Sequence, residues 1–183
     1  TLLHEAIPVT GTIVSGTYTD ENIKNYAHGM FQSVYDYPYL SSSANHIFDI
    51  TAGYASDSEL SSSDSPQNAK KINVYNQLAQ VLVGHDVTGN IQNFDQDGDI
   101  TAGGTKMREC FFLNFARLLS KDEIKKGSFT TEIYVDGLSE EPSGSVTVSD
   151  YGAETSFKVN SPTGEYGILY TSSATPNTDS GVG

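Results

Sequence analysis

The stretch from Asn68 to Gly127 constrains the fold most, because it contains the densest run of apolar residues in the chain. Apolar residues of its first half recur at the spacing of one helix face, namely Ile72, Tyr75, Leu78, Ala79 and Leu82. Those of its second half cover more than one face, namely Met107, Cys110, Phe111, Leu113, Phe115, Leu118 and Leu119. A helix of that kind must be enclosed by other elements or by another chain. The pattern predicts a central helical hairpin.

Turn and cap residues mark where the predicted helices begin and end. Ser65 followed by Pro66 is a typical helix start, and Gly84 is a typical helix end. Upstream, Asp20 as a cap and a helical spacing of apolar residues predict an additional N-terminal helix, with Ile23, Tyr26, Met30 and Val34 on one face. Gly29 would weaken the middle of that helix.

After Gly127 the spacing of the apolar residues changes from the helical period to a period of two residues. Alternation from Phe129 to Val135 predicts a strand, and further strands are expected near residues 146–148, 157–159 and 166–170, with Gly and Pro turns between them. An earlier short strand is predicted from His46 to Ile50. The fold class that we predict is α+β, with a central helical hairpin and a mainly antiparallel β-sheet formed largely by residues 128–170.

The predicted domain organisation follows from these elements. We expect an extended N-terminal arm or edge strands over residues 1–19 and a single α+β structural domain over residues 20–170. That domain would have a helical centre at residues 66–127 and a β-rich part at residues 128–170. Residues 171–183 are mainly Ser, Thr, Gly and Asn without periodicity, which predicts a flexible tail.

The charge of the chain excludes several classes of partner. The formal net charge is -13 and the pI is near 4.4, which argues against binding to nucleic acid or to an anionic membrane. No apolar run approaches the roughly 20 residues of a membrane span. The single cysteine, Cys110, excludes an internal disulfide.

Asp95, Asp97 and Asp99 form the sharpest local motif for a cofactor. Alternating carboxylates in a turn can place oxygens around Ca²⁺, as at the start of an EF-hand loop. The match then fails, because the sixth position is Ile100 instead of Gly and the twelfth is Lys106 instead of Glu. We therefore expect no cofactor and a plain Asp/Gly turn, with a Ca²⁺ site at these three aspartates as the alternative.

No catalytic constellation is predicted. His46 with Asp49, and His85 with Asp86, have the form of dyads, but no serine follows in a strand–turn–helix elbow. Cys110 lies in an apolar segment, where burial raises the pKa of a thiol and removes its nucleophilicity. We expect a protein that is not an enzyme.

Three groups of residues are candidates for contacts between proteins. We expect an assembly core, within or between subunits, at Phe111, Phe112, Phe115 and Leu119. Crowded aromatics could pack internally or face a partner or a sugar ring, namely Tyr35, Tyr37 and Tyr39. A small basic patch either complements a helix end or meets an acidic neighbour, namely Lys121, Lys125 and Lys126.

Several segments in a fixed order carry a resemblance to a known family. They are FQSVYDYP at 31–38, SANHIFD at 43–49, NAKKINVYN at 68–76, KDEIKKGSF at 121–129, KVNSP at 158–162 and GEYG at 164–167. Over most of residues 4–170 the chain resembles a group of virion structural proteins of contractile-tailed bacteriophages, especially those of cyanobacteria. Members of that group continue beyond the position of Gly183, which leaves the completeness of the chain open.

The resemblance implies a particle component and supplies no catalytic residues. We therefore expect a non-enzymatic virion subunit, made in the host cytoplasm, that binds copies of itself and other virion proteins. A place in the tail, baseplate or neck is favoured over the capsid surface. The alternatives are a host-surface or glycan-binding module with a Ca²⁺-stabilised loop, and a tail-associated cell-wall hydrolase.

Overall fold

The computed structural model describes residues 22–35, 37–61, 65–100, 104–115, 124–134 and 145–171, and this part of the chain is mainly β. Its strands form one four-stranded and three two-stranded antiparallel sheets. Among the described residues, one helix is longer than two turns. The predicted α+β class with a central helical hairpin is therefore wrong. No helix in the described ranges is long and apolar enough to cross a membrane.

The elements have the following bounds. The strands are β1 (Ile23–Asn25), β2 (Gln32–Tyr35), β3 (His46–Tyr54), β4 (Phe94–Asp95), β5 (Lys106–Met107), β6 (Glu109–Asn114), β7 (Thr130–Tyr134), β8 (Ser145–Ser149), β9 (Lys158–Ser161) and β10 (Gly164–Tyr166). The helices are α1 (Pro66–Leu82) and α2 (Ala153–Ser156), with a 3-10 turn at Glu59–Ser61.

The chain divides into two compact units. The first unit comprises residues 1–76 and 109–123, and the second comprises residues 77–108 and 124–183. The main helix α1 contributes to both, with its residues up to Asn76 in the first unit.

The first unit is built on the four-stranded sheet, whose strand order is β1-β2-β3-β6. Val34, Phe48 and Ile50 form its buried cluster, and Phe115 packs against them. The predicted strand at His46 to Ile50 is confirmed as the first part of β3. It is longer than predicted, because its second half pairs with β6 from Thr51↔Phe112 to Tyr54↔Glu109.

The predicted first helix of the hairpin is confirmed as α1. Its start is capped by Ser65, whose side-chain oxygen accepts a hydrogen bond from the Asn68 N–H at 3.2 Å. Its end is the left-handed Gly84, at φ 91°, whose N–H donates to the Ala79 carbonyl. The buried face is rotated slightly from the predicted one, since Lys71, Tyr75 and Ala79 are its fully buried residues.

The predicted second helix of the hairpin is wrong, because its apolar residues from Met107 to Leu113 lie in strands. Glu109–Asn114 is β6, and Lys106–Met107 is β5, which pairs with β4. An apolar run without interruption fits a strand and a buried helix equally well, so long-range pairing with β3 decides between them. Six residues of β6 find backbone partners along β3, from Asp49 to Tyr54.

The predicted N-terminal helix is also wrong. Ile23–Asn25 and Gln32–Tyr35 pair as antiparallel strands, with Ile23 opposite Val34. The turn between them contains Gly29 at φ 64°, and its N–H donates to the Tyr26 carbonyl at 3.0 Å. The glycine that would weaken a helix is thus the residue that permits the hairpin turn.

The second unit contains the three two-stranded sheets. Strands after Gly127 are confirmed, but they form separate pairs β7–β8 and β9–β10 and do not build the main sheet of the protein. Its buried apolar residues are Ala79, Val83, Val148, Ala153, Ile168 and Tyr170. The predicted arm at residues 1–19 and all but the first residue of the predicted tail lie outside the described residues.

Candidate functional site

The three aspartates of the predicted Ca²⁺ loop lie together in the second unit. One ligand oxygen from each of Asp95, Asp97 and Asp99 lies within 4.8 Å of the others. The backbone closes the loop, because the Asp97 N–H donates to Asp95 Oδ1 at 3.3 Å and the Asp99 N–H to Asp97 Oδ1 at 3.1 Å. The hydrogen bond from Asp99 is the main cause that lowers the pKa of Asp97. The lowered pKa favours the ionised form of the Asp97 carboxylate.

The cation closest to this loop is a side chain of the same unit. Lys106 lies opposite Asp95 in the β4–β5 register, and its ammonium forms an ion pair with Asp95 Oδ2. The Asp95 side chain is almost completely buried, so this pair is shielded from water. A metal ion at the cluster would have to share or displace the Lys106 ammonium from one of its three carboxylates.

The backbone of the loop resembles an EF-hand more than its side chains do. Ile100, at the position where an EF-hand has glycine, adopts φ 62°. A β-branched residue in the left-handed region carries strain, so the rest of the loop must hold this conformation.

Two side chains from distant parts of the sequence hold the loop. Asn160 Nδ2 donates to the Gly98 carbonyl at 2.8 Å, and the Tyr166 hydroxyl lies 3.0 Å from the same oxygen. The Tyr166 hydroxyl is also 2.9 Å from Asn160 Oδ1. Burial is the main cause that raises the pKa of Tyr166. Sequence analysis missed both residues, because nothing in their local sequence indicates a contact with a loop more than sixty positions away.

His46 and Asp49 do form a pair in the first unit. His46 Nε2 lies 2.8 Å from Asp49 Oδ1, and Ser33 Oγ donates to the same carboxylate oxygen at 2.5 Å. Tyr26 Oη lies 3.1 Å from Ser33 Oγ. A catalytic triad needs the serine hydroxyl to face the imidazole, which accepts its proton. Here the hydroxyl donates to the carboxylate, so the group joins β2 to β3 and does not activate a nucleophile.

The other predicted dyad and the cysteine are also engaged. The Asp86 carboxylate accepts hydrogen bonds from the backbone N–H groups of Thr88 and Asn90 and from both side chains. The Thr88 hydroxyl is the main cause that lowers the pKa of Asp86 to about 2. Burial, and secondly Glu109, raises the pKa of the Cys110 thiol to about 12. Neither His85–Asp86 nor Cys110 has the arrangement of a nucleophilic site.

The aromatic candidates lie on the first unit. The Tyr35 ring is in contact with Tyr39 and with His46, at centroid distances of 6.2 and 5.5 Å. Tyr37 is 57 % exposed, and the neighbouring Leu40 is 87 % exposed. Tyr35 and Tyr39 are thus partly packed against each other, whereas Tyr37 and Leu40 present their side chains to solvent.

The basic candidates lie on the second unit, and two of them have acidic partners there. Lys126 Nζ is 2.6 Å from Glu165 Oε2 and lies over the Phe157 ring at 4.8 Å from its centroid. Lys125 Nζ is 3.8 Å from Glu154 Oε1. Lys121 lies outside the described residues. Lys125 and Lys126 thus each lie close to a carboxylate of their own unit.

The predicted assembly core is distributed over two faces of β6. The Phe112 ring lies against Gly53 of β3, and the Phe115 ring is 5.4 Å from that of Phe48. Phe111 is 52 % exposed, and Leu113 on the same face is also exposed. Leu119 lies outside the described residues. The structure brings Phe112 and Phe115 into the first unit and leaves Phe111 at its surface.

Comparisons of the chain with family models, with curated proteins and with solved structures find no match.

Proposed function

We propose that this chain is a non-enzymatic structural subunit of the virion of a contractile-tailed bacteriophage, located in the tail, baseplate or neck. In this role it binds copies of itself and other particle proteins. The sequence resemblance motivates the proposal, and the exposed apolar pair Phe111 and Leu113 on β6 is the structural observation that supports it.

The position of this pair suggests a contact with another protein. The register sets Phe111 opposite Ala52 and Leu113 opposite Ile50, so all four side chains share one face of the sheet. Ile50 is buried, whereas Phe111 and Leu113 are exposed. The apolar residues on this face of the sheet therefore extend from the buried Ile50 to the exposed Phe111 and Leu113. Fully burying an exposed phenylalanine side chain is worth roughly 1.5–3 kcal/mol. Phe111 is 52 % exposed, so a contact with a neighbouring protein would gain about half of that from its remaining surface.

The state of the reactive groups agrees with a structural role. The carboxylates of Asp49, Asp86 and Asp95 all bind side chains of their own unit. The Ser33 hydroxyl bridges two strands, and the raised pKa of Cys110 keeps its thiol protonated at neutral pH. The hydrogen bonds of Ser33, Asp49 and Asp86 and the ion pair of Asp95 hold local structure, as in a structural subunit.

Immunoelectron microscopy of purified particles tests the proposed function. An antibody raised against this chain should label the particles at the tail, baseplate or neck in a regular pattern. An antibody against an unrelated cytoplasmic protein of the host serves as the control. Particles free of the chain by labelling and by mass spectrometry would contradict the proposal.

A substitution on β6 tests the observation behind it. Phe111→Asp places a charge on a surface position, so the chain should fold normally but enter particles poorly. Leu40→Asp, at a residue that is 87 % exposed on the same unit, is the matched control and should enter particles as the unmodified chain does. Normal incorporation of the Phe111→Asp chain would show that this face makes no essential contact.

A host-surface or glycan-binding module with a Ca²⁺-stabilised loop is the second candidate. The convergence of Asp95, Asp97 and Asp99 favours it, together with the exposed Tyr37 and Tyr39. Chelation by EDTA separates the two candidates: loss of binding to cells by intact particles supports the module, and unchanged binding supports the structural subunit. The ion pair of Lys106 with Asp95 weighs against a resident cation.

A further inference from the structure

The turn between β1 and β2 is held by the side chain of a histidine. The Met30 N–H donates a hydrogen bond to His28 Nδ1 at 3.0 Å. A ring nitrogen accepts a hydrogen bond only while it carries no proton, so this contact requires the neutral imidazole with its proton on Nε2. The closed turn therefore depends on the protonation state of one side chain.

Aromatic rings of the same hairpin hold this imidazole in position. The His28 ring stacks on the Tyr26 ring, with centroids 5.1 Å apart and planes at 9° to each other. The Phe31 ring lies 5.0 Å from each of the two, measured between centroids. These contacts restrict the orientation of the imidazole and keep Nδ1 beside the Met30 N–H.

The turn is also joined to two other elements of the first unit. The Lys70 ammonium, on α1, donates to the His28 carbonyl at 3.0 Å. The Thr51 hydroxyl, on β3, donates to the Met30 carbonyl at 2.5 Å. A change in the conformation of the turn therefore acts on its contacts with both the helix and the central strand.

The charged groups close to the imidazole are positive. Lys70 lies at the His28 carbonyl, and the Lys24 ammonium lies over the Tyr26 ring, 4.9 Å from its centroid. Among the described residues, His28 forms no ion pair with a carboxylate. A proton on the imidazole thus adds a further positive charge to this cluster and gains no opposite charge in exchange.

The Asp49 carboxylate of β3 binds a different histidine. His46 Nε2 lies 2.8 Å from Asp49 Oδ1, which also accepts from Ser33 Oγ, and Ser33 Oγ in turn lies 3.1 Å from Tyr26 Oη. Because a carboxylate only accepts hydrogen bonds, His46 Nε2 donates in both the neutral and the protonated imidazole. Acid therefore removes the hydrogen bond of His28 and leaves that of His46 in place.

We propose that His28 makes the β1–β2 turn sensitive to acid. While the imidazole is neutral, Nδ1 accepts the Met30 N–H and the turn is closed. When a proton binds Nδ1, the Met30 N–H loses its acceptor and faces a second donor, so the turn opens. This conformational device goes beyond the proposed function, because it rests only on contacts within the first unit.

The direction of the effect follows from mass action. The closed turn binds no proton at Nδ1 and the open turn leaves this nitrogen free to bind one, so a fall in pH favours the open form. The His28 side chain is exposed, and histidine is the side chain that ordinarily titrates between about pH 5 and 8. The strands remain paired from Ile23↔Val34 to Asn25↔Gln32, so the change is local to the turn.

An NMR titration of the full chain between pH 8 and pH 5 tests this inference. At pH 8 the His28 ring should be the tautomer with its proton on Nε2. As the pH falls, the Met30 amide signal should shift together with the titration of that ring. The protection factor of the Met30 amide against hydrogen exchange should fall by about two- to tenfold, the range for the loss of one hydrogen bond.

Two variants separate this device from a general effect of acid. His28→Phe keeps a ring for Tyr26 and Phe31 but has no acceptor, so its Met30 amide should have the low protection factor at both pH values. His85→Phe is the matched control, because His85 is exposed in the second unit. It should leave the pH dependence at Met30 unchanged.

Three results would overturn the inference. The first is a proton on Nδ1 of His28 at pH 8, and the second is a Met30 protection factor that stays constant while the His28 ring titrates. The third is a pH dependence at Met30 that persists in His28→Phe, because acid would then act through another group. All three readouts come from the chain in solution, so they stand apart from the labelling of particles that tests the proposed function.

Discussion

Lys71 is buried where the helix α1 would be expected to carry an apolar side chain. It lies four residues before Tyr75 on the buried face of the helix, and only 2 % of its surface is exposed. Among the described residues, its ammonium has no hydrogen-bond partner. Burial without a counter-charge disfavours the ammonium form, and this desolvation lowers the pKa of Lys71 from its ordinary 10.5.

The sign of the effect on stability follows from linkage. Because the folded-state pKa lies below the unfolded value of 10.5, the unfolded chain binds more protons between those two values. The contribution of Lys71 to stability therefore rises with pH through that window and is unfavourable at neutral pH.

Replacing this lysine with a hydrophobic residue should stabilise the protein. Lys71→Met keeps the length of the side chain and removes the buried charge, so we expect the free energy of unfolding at pH 7 to increase by about 1 kcal/mol or more. Urea denaturation at pH 7 and at pH 10.5, the ordinary pKa of lysine, measures the change, which should shrink at the higher pH. Lys70→Met is the control, since the Lys70 ammonium is exposed and donates to the His28 carbonyl. A loss of stability in Lys71→Met would show that the ammonium has a partner that stabilises it.

The lowered pKa of Asp86 leads to a second prediction about pH. Its folded-state pKa of about 2 lies below the ordinary 3.8, so the hydrogen bonds of the loop contribute stability above 3.8 and lose it as the pH falls through about 2. In an NMR titration, the amide protons of Thr88 and Asn90 should keep their shifts down to pH 3. Thr88→Val removes the strongest of these hydrogen bonds, and the midpoint should then move up towards 3.8. A midpoint near 3.8 in the unmodified chain would contradict the closed loop.

At the scale of elements, the packing of α1 on β3 depends on a single glycine. A Cβ at Gly53 would lie 2.9 Å from the Tyr75 backbone nitrogen, 3.1 Å from the Lys71 carbonyl oxygen and 3.2 Å from the Phe112 ring. The first two atoms belong to the helix backbone and cannot move as a side chain does. The helix therefore lies directly on the strand at this position.

Gly53→Ala should separate the helix from the sheet. We expect a loss of about 1–3 kcal/mol in the free energy of unfolding, because the added methyl group meets backbone atoms. Gly89→Ala is the control for the backbone alone, since it lies at φ 88° with no atom within 4 Å of the added Cβ. It should cost about 1 kcal/mol. Chemical denaturation of both variants gives the comparison, and a Gly53→Ala protein as stable as the unmodified one would refute the close contact.

The elements that sequence analysis identified correctly are those with local signals. Ser65, Pro66 and Gly84 mark the ends of α1 within the sequence itself, and the structure places them there. The segment of β6 has no such local signal. Its phenylalanines satisfy a helical and an alternating pattern alike, and the strand forms because β3, more than fifty residues upstream, supplies its backbone partners.

In the candidate site, too, one part follows from the local sequence and another part forms only through long-range contacts. The spacing of Asp95, Asp97 and Asp99 predicts that their oxygens converge, and they do. The residues that hold the loop, Asn160 and Tyr166, come from a separate hairpin, and their contact is a property of the folded unit. In the sequence, Lys106 at the twelfth position of the loop is a mismatch to the Glu of an EF-hand. In the structure, its ammonium forms an ion pair with Asp95.

At the scale of the whole molecule, the net charge of -13 decides how copies can meet. Lys125 and Lys126 lie close to Glu154 and Glu165 of the same chain, in exposed ion pairs that contribute little to stability. If copies associate, their contact must form in spite of the overall repulsion. That repulsion extends over a Debye length, about 10 Å in 0.1 M salt and about 3 Å in 1 M salt.

The salt dependence of self-association therefore distinguishes an uncharged contact from a charged one. Salt screens the repulsion between two acidic molecules but takes nothing from an interface of amide and aliphatic groups, so the dissociation constant of the dimer should fall severalfold between about 0.05 M and 0.5 M NaCl. An interface built on lysine–carboxylate pairs would weaken over the same range. Sedimentation equilibrium at each salt concentration measures the constant. A dimer that dissociates as the salt concentration rises would place the contact on charged side chains.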